Sequence, residues 1–287
     1  MKKQTKQVQQ KPQTQRKQPG IESKMEPVPE FESIITIGGR LKNKIAIITG
    51  GDSGIGRAVA VAFAKEGADI VISYLNEHDD AKTTKKEVEK LGRKCYLVSG
   101  DISKEKQSDK IVSTAMAKFG CIDIVVNNAA VQYPKESIAE ISAKQLEETF
   151  RTNVFSQFYL VKAALKHLKE GANIINTSSV TAYRGNPDLI DYSSTKGAIV
   201  AFTRALSASL IKQGIRVNGV APGPIWTPLI PATFDAEKVA KFGSDTLMGR
   251  AGQPNEVASC YVFLASDEAS YISGQVLHPN GGESINS

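Results

Sequence analysis

The sequence is short of cysteine, of histidine and of any long apolar run. Its three cysteines, Cys95, Cys121 and Cys260, stand in no C-x-x-C pairing within 287 residues, which excludes a disulfide scaffold and argues against a structural zinc site. A chain of this size can bury a large core without covalent staples. The thiols therefore read as small buried hydrophobes in a reducing compartment, and the expected location is cytoplasmic. His78, His167 and His278 fit no metal-ligand spacing, so no metal is expected. No stretch reaches the roughly 18 apolar residues that would cross a bilayer, and no apolar run of ~7 to 15 residues follows the basic start as a secretory signal requires. The expectation is a soluble protein without a membrane partner.

Basic side chains outnumber acidic ones, 36 Lys and Arg against 30 Asp and Glu. The surplus has one address. Residues 1 to 20 hold Lys2, Lys3, Lys6, Lys11, Arg16 and Lys17 and no acid, leaving 30 against 30 on the other 267 residues. A body with no net charge has no overall field to draw nucleic acid or anionic lipid, and no nucleic-acid partner is expected. Built from Lys, Gln, Thr and Pro, the first 20 residues cannot offset the entropy of ordering. Residues 21 to 40, with Pro27, Pro29, Gly38 and Gly39, read as a linker. The domain reading is a disordered basic tail and linker at 1–40 and one catalytic domain at 41–287.

From Leu41 onward, short β-branched runs alternate with longer helical patterns. The strands expected are Lys44–Ile48, Asp69–Ser73, Cys95–Ser99, Ile122–Val126, Asn173–Asn176, Arg216–Val220 and Gln275–His278. The helices expected are Ile55–Glu66, Asp80–Leu91, Lys104–Phe119, Ala143–Lys169, Tyr192–Lys212 and Asn255–Ala265. Strands too apolar to have a wet face, alternating with helices, predict an α/β fold: a single doubly wound Rossmann-type domain with a parallel sheet of about seven strands.

The first strand runs into Thr49-Gly50-Gly51-Asp52-Ser53-Gly54-Ile55-Gly56, followed by a helix. Glycines at that junction let a pyrophosphate approach the helix N-terminal amides, where the dipole favours anions. The spacing is T-G-x-x-x-G-x-G and not G-x-G-x-x-G, because Val59 stands where the third glycine would fall. The second strand ends on Tyr74, where an acidic residue would hold the ribose hydroxyls of NAD. Neither Ser53 nor Tyr74 carries the positive charge that would hold the extra phosphate of NADP, and Asn76 and Glu77 follow in the loop. The choice between NAD and NADP stays open. Asp101, after the third strand, is placed either to accept from an adenine amino group or to cap the next helix.

Tyr192 and Lys196 are four apart on one helical face. A phenol titrating near 10 is a poor base at neutral pH unless a cation such as Lys196 stabilises its phenolate. Thirteen residues earlier, at the end of the fifth strand, Ser179 is set to donate to a substrate carbonyl.

From Leu41 to Gly282 the chain resembles the short-chain dehydrogenase/reductase family. The matching pieces are the Thr49 to Gly56 turn, Asp101, Asn127-Asn128-Ala129-Ala130, Asn153, Ser179, Tyr192-x-x-x-Lys196 and Pro222-Gly223-Pro224-Ile225-Trp226-Thr227. The Lys/Gln-rich extension and Gly51-Asp52-Ser53-Gly54 are similar to its bacterial general-stress oxidoreductase branch.

The resemblance implies a catalytic set of Asn153, Ser179, Tyr192 and Lys196. Tyr192 would be the acid/base, Ser179 would orient the carbonyl, Lys196 would lower the tyrosine pKa and bind the nicotinamide ribose, and Asn153 would hold a water in a proton relay. It further implies a cofactor set of Gly50, Asp52, Ser53, Gly54, Ile55, Gly56, Tyr74, Asp101, Ile102, Asn127, Ala129, Pro222, Gly223, Ile225 and Thr227, besides Tyr192 and Lys196. Asn127 would help bind the adenosine ribose and brace its strand, while Ile225 and Thr227 would fix the carboxamide. The family usually has Gly at Ala130, so a methyl narrows the cleft there.

The activity implied is hydride transfer between NAD or NADP and an aldehyde or ketone, or the corresponding alcohol. The alternative is a nucleotide-binding stress or regulatory protein with vestigial catalysis. An epimerase or dehydratase fits less well, because those relatives carry G-x-x-G-x-x-G. A homotetramer is implied, with Tyr271 to Gly282 near a subunit contact. Val131, Gln132, Tyr133 and Trp226 are expected at a partly apolar substrate mouth, with Pro228 to Met248 as a lid.

Overall fold

The computed structural model describes residues 39–285. The expected basic tail and nearly all of its linker lie outside the described residues. All seven expected strands form, each within two residues of its expected ends: β1 (Ile45–Thr49), β2 (Asp69–Tyr74), β3 (Cys95–Ser99), β4 (Ile124–Asn127), β5 (Asn173–Thr177), β6 (Arg216–Val220) and β7 (Val276–Leu277). They make one sheet in the order β3-β2-β1-β4-β5-β6-β7, with every pairing parallel.

Residues that alternate along each strand feed opposite cores. Ala46, Ile48, Ile70, Ile72, Ile124 and Val126 pack on one face, with Val59 and Phe63 of α1 (Gly54–Lys65) and Val257 and Tyr261 of α9 (Pro254–Ala265). Ile47, Val71 and Val125 pack on the other, with Ile111 of α3 (Glu105–Phe119), Leu160 of α5 (Ser156–Leu165) and Leu210 of α7 (Ile190–Leu210). Both faces are dry, which is why the strands read as continuous apolar runs. α2 (His78–Lys90) covers the edge near β3, its Val88 joining the first core.

The chain reverses direction across the sheet between β1 and β4, and in such folds the crevice at that switch point receives the ligand. Thr49 clasps the two halves there: its hydroxyl accepts from the amides of Asn128 at 2.9 Å and Ala129 at 3.1 Å.

One expected helix is not continuous. Ala143–Lys169 divides into α4 (Ala143–Phe150), a π-helical turn at Arg151–Phe155, and α5. Helical periodicity does not register a single widened turn, and such turns occur frequently at functional sites. The short helices α6 (Thr181–Arg184) and α8 (Ala236–Ala240) carry too few residues to show a period. No helix among the described residues is long and apolar enough to cross a membrane.

Candidate active site

A cleft of about 950 Å³ runs along the C-terminal ends of the strands. Its first wall is the turn after β1, where Gly50, Asp52, Ser53, Gly54 and Ile55 all line it. Gly50 has φ +62°, a conformation that L side chains rarely adopt. Gly56 lies behind the lining, and a Cβ there would collide with the Gly50 carbonyl. Ser53 precedes α1 without making a side-chain cap bond, so the first-turn amides beside the cleft favour an anion. Asn128 braces the turn from β4, donating to the carbonyls of Thr49 at 3.1 Å and Gly50 at 3.3 Å. These features fit the pyrophosphate of a dinucleotide.

Tyr74, Asp101, Ile102 and Ala129 line the cleft further along, and Pro222, Gly223, Ile225 and Thr227 line it beyond β6. The Tyr74 hydroxyl and His78 Nδ1 are 2.9 Å apart. Asp101 Oδ1 accepts from the Ser103 amide at 2.9 Å, whereas α3 is preceded by Lys104 without a side-chain cap. Asp101 therefore shapes the loop and does not cap the helix.

At the other end stand Ser179, Tyr192 and Lys196. Ser179 Oγ accepts from the Thr181 amide at 3.2 Å and the Thr181 hydroxyl at 3.1 Å, which leaves its own proton to donate. Burial pushes the Tyr192 phenol up to about 12, opposed by hydrogen bonding from Ser179. Lys196 Nζ donates to the Thr177 carbonyl at 2.9 Å and lies 5.3 Å from the Tyr192 ring centre. Burial pushes this amine down to about 7, because desolvation disfavours its charged form. The sequence expectation was that the lysine would lower the tyrosine. Burial favours the neutral form of both groups, hydrogen bonding from Ser179 works against it on the phenol, and the amine stands 5.3 Å from the tyrosine ring centre.

Asn153, Asn127 and Trp226 do not line the cleft. Asn153 is fully buried in the π turn: its Oδ1 accepts from the Val131 amide at 2.8 Å, and its Nδ2 donates to the Val131 carbonyl at 2.9 Å and the Thr195 hydroxyl at 3.1 Å. Its side chain is committed to the loop after β4. Asn127 points into the sheet layer, donating to Asn176 Oδ1 at 2.8 Å; bracing the strand survives of its expected role, and direct ribose contact does not. Trp226 is 45% exposed outside the cleft. The expected lid segment does line it through Leu229, Ile230 and Phe234, and Thr233 accepts from Gln132 Nε2 at 3.1 Å.

Asp191 and Thr181 were missed by sequence reasoning. Asp191 is 2% exposed and its carboxylate accepts from Gln145, Thr149 and the Tyr192 amide at 2.8 to 3.0 Å. The available signal was an acid directly before Tyr192 in the first turn of a helix. No group of side chains among the described residues is arranged to hold a metal ion.

A family model described as enoyl-(acyl carrier protein) reductase matches residues 50–284. A solved short chain dehydrogenase from Burkholderia cenocepacia, in complex with NADP, is similar with a TM-score of 0.80 and 32% identity, covering 85% of this chain and 98% of that one. The chain belongs to the short-chain dehydrogenase/reductase family. As a short-chain dehydrogenase/reductase it is an NAD(P)-dependent oxidoreductase. General stress protein 39 of Bacillus subtilis is 60% identical over 95% of this chain and 96% of its own length. The glucose and ribitol dehydrogenase of Daucus carota is 50% identical over 96% and 97%. The family and its general-stress branch are thus as the sequence motifs implied.

Proposed function

We propose that this short-chain dehydrogenase/reductase transfers hydride between a nicotinamide and the carbonyl carbon of a small aldehyde or ketone, or in reverse from the alcohol, with Tyr192 as acid/base. The observation that carries the reading is the meeting of the Ser179 hydroxyl, the Tyr192 phenol and the Lys196 amine at one end of a cleft whose other wall is the glycine turn. The name of the carrot relative puts sugars and polyols first among substrates to screen.

The turn after β1 would hold the pyrophosphate, and Ile225 and Thr227 the nicotinamide end. When bound, the nicotinamide supplies or accepts the hydride. Ser179, its lone pairs occupied by Thr181, donates to the carbonyl oxygen, and Tyr192 gives that oxygen its proton. The phenolate left behind is stabilised by the protonated form of Lys196, so the charge that burial penalises on each group is offset by the other. Asn153 and Asp191 position the turn of α7 that carries Tyr192 and do not meet the substrate.

Conversion of Tyr192 to Phe should abolish turnover while dinucleotide affinity stays within about threefold of wild type. Turnover at the wild-type rate would end the proposal; dinucleotide binding by wild type with no turnover on any carbonyl or alcohol would favour the regulatory alternative. Three thiols outside any disulfide support a cytoplasmic setting. The exposed Phe155 and Phe158 beside and on α5 support self-association, for which we propose the homotetramer.

A further inference from the structure

We propose that Tyr261 is a positioning residue for the dinucleotide: its phenol holds Thr177, Thr177 holds Asn128, and Asn128 holds the glycine turn in its binding shape. The inference rests on the dinucleotide-binding reading above. Tyr261 belongs to α9, is wholly buried and does not line the cleft, whereas Thr177 and Asn128 both do. A phenol in an apolar core costs stability unless its hydroxyl finds a partner. Tyr261 has one, the hydroxyl of Thr177 at 2.6 Å.

The hydrogens along this path run one way. Thr177 Oγ1 donates to Asn128 Oδ1 at 3.4 Å, and a hydroxyl carries a single proton. The shorter bond is therefore made by the phenol, with Tyr261 donating and Thr177 accepting. The reverse order would leave the phenol proton without an acceptor among the described residues, at the full cost of a buried unpaired donor. Burial pushes the Tyr261 phenol well above its ordinary value, so the proton is present to be donated. An amide has one acceptor end and one donor end. With Asn128 Oδ1 turned to Thr177, its Nδ2 is committed to the carbonyls of Thr49 and Gly50, at 3.1 and 3.3 Å.

That amide sits where the turn has least room. A Cβ at Gly50 would lie 3.2 Å from Asn128 Nδ2, and one at Gly56 2.8 Å from it. From the side of β2, the Ser73 carbonyl accepts from the amides of Gly50 at 2.8 Å and Gly51 at 3.3 Å. The turn is thus clamped by its amides to one neighbouring strand and by its carbonyls to Asn128. Carbonyls released from Asn128 are free to turn their negative ends toward a bound pyrophosphate, against the attraction of the helix amides. The backbone carbonyl of Thr177 accepts from Lys196 Nζ, but the pairing of Thr177 with Val220 of β6 fixes that part of the chain. The side-chain hydroxyl is left to serve the turn.

The test is the dissociation constant of whichever of NAD+ and NADP+ wild type binds more tightly, measured by calorimetry on the full-length protein without substrate. Melting followed by circular dichroism on the same samples reports stability. Tyr261→Phe keeps the ring in the core and should weaken binding about fivefold. Thr177→Val strands the buried phenol and should melt about 2 to 12 °C lower. The double variant Thr177→Val/Tyr261→Phe exchanges the hydroxyl pair for apolar groups of the same shape. Its melting temperature should return to within about 3 °C of wild type while its binding stays about fivefold weak. Binding restored together with stability would show a role in packing alone and overturn the inference. Wild-type affinity in Tyr261→Phe would overturn it too, as would an undiminished effect of Tyr261→Phe in an Asn128→Ala protein, where the path has lost its last member. Binding of neither dinucleotide by folded wild type would remove the underlying reading of the cleft instead.

Discussion

Replacing Lys196 by Met should stabilise the protein in neutral and acidic solution while removing its activity. The amine ordinarily titrates at 10.5, and burial pushes it down to about 7. Between these values the unfolded chain binds a proton that the folded chain does not, so wild-type stability rises with pH across that window. Below about 7 the full cost of the buried charge is present. At about 1.4 kcal/mol per pH unit, that cost amounts to about 5 kcal/mol. The variant loses the bond from Nζ to the Thr177 carbonyl and leaves that carbonyl without its donor, a loss of about 1 to 3 kcal/mol. At pH 6 the variant should lead by about 2 to 4 kcal/mol, and the lead should shrink above pH 7 and reverse between about pH 8 and pH 10. Burial of Tyr192 acts the other way, lowering stability as pH rises from 10 toward about 12, but equally in both proteins. Urea unfolding followed by circular dichroism from pH 6 to 9.5 measures the difference. Parallel stability curves would refute a buried amine that titrates near neutrality, and a variant with wild-type turnover would refute its part in the proton transfer.

Gly56→Ala forces a methyl against the Gly50 carbonyl; dinucleotide affinity should fall at least tenfold, with a stability loss of about 1 to 3 kcal/mol. Retention of wild-type affinity in a calorimetric titration would show that the turn yields more than its packing suggests. Light scattering of the full chain should give four times its 30.9 kDa mass, and a monomer mass at micromolar concentration would remove the tetramer.

The sheet was legible because burial on both faces turns each strand into an apolar run, and the glycine turn because its residue types stand between a strand and a helix. What escaped depended on a single residue's placement. Asn127 and Asn128 are adjacent at the end of β4, and side chains there alternate in direction; the pair alone does not say which enters the cleft, and it is Asn128 that does. Asn153 was expected among the reacting groups because its pattern matched, but the π turn aims its amide at the Val131 backbone. Asp191 acts through Gln145 and Thr149, partners that only the folded chain brings near, and Thr181 through a local turn that folds it back on Ser179. The effect of burial on Tyr192 and Lys196 is equally a property of the interior, since nothing in a spacing of four residues reports desolvation.

The widened turn at Arg151–Phe155 separates two duties within one stretch of chain. Glu147, Glu148 and Arg151 before and at its start face the cleft, while Leu160, Val161 and Ala164 after it belong to the core. Substitutions in α4 therefore recut the mouth of the cleft without loading the packing beneath α5. Asn153 keeps its seat between them, so new substrate preferences can be tried on one side of a fixed pivot.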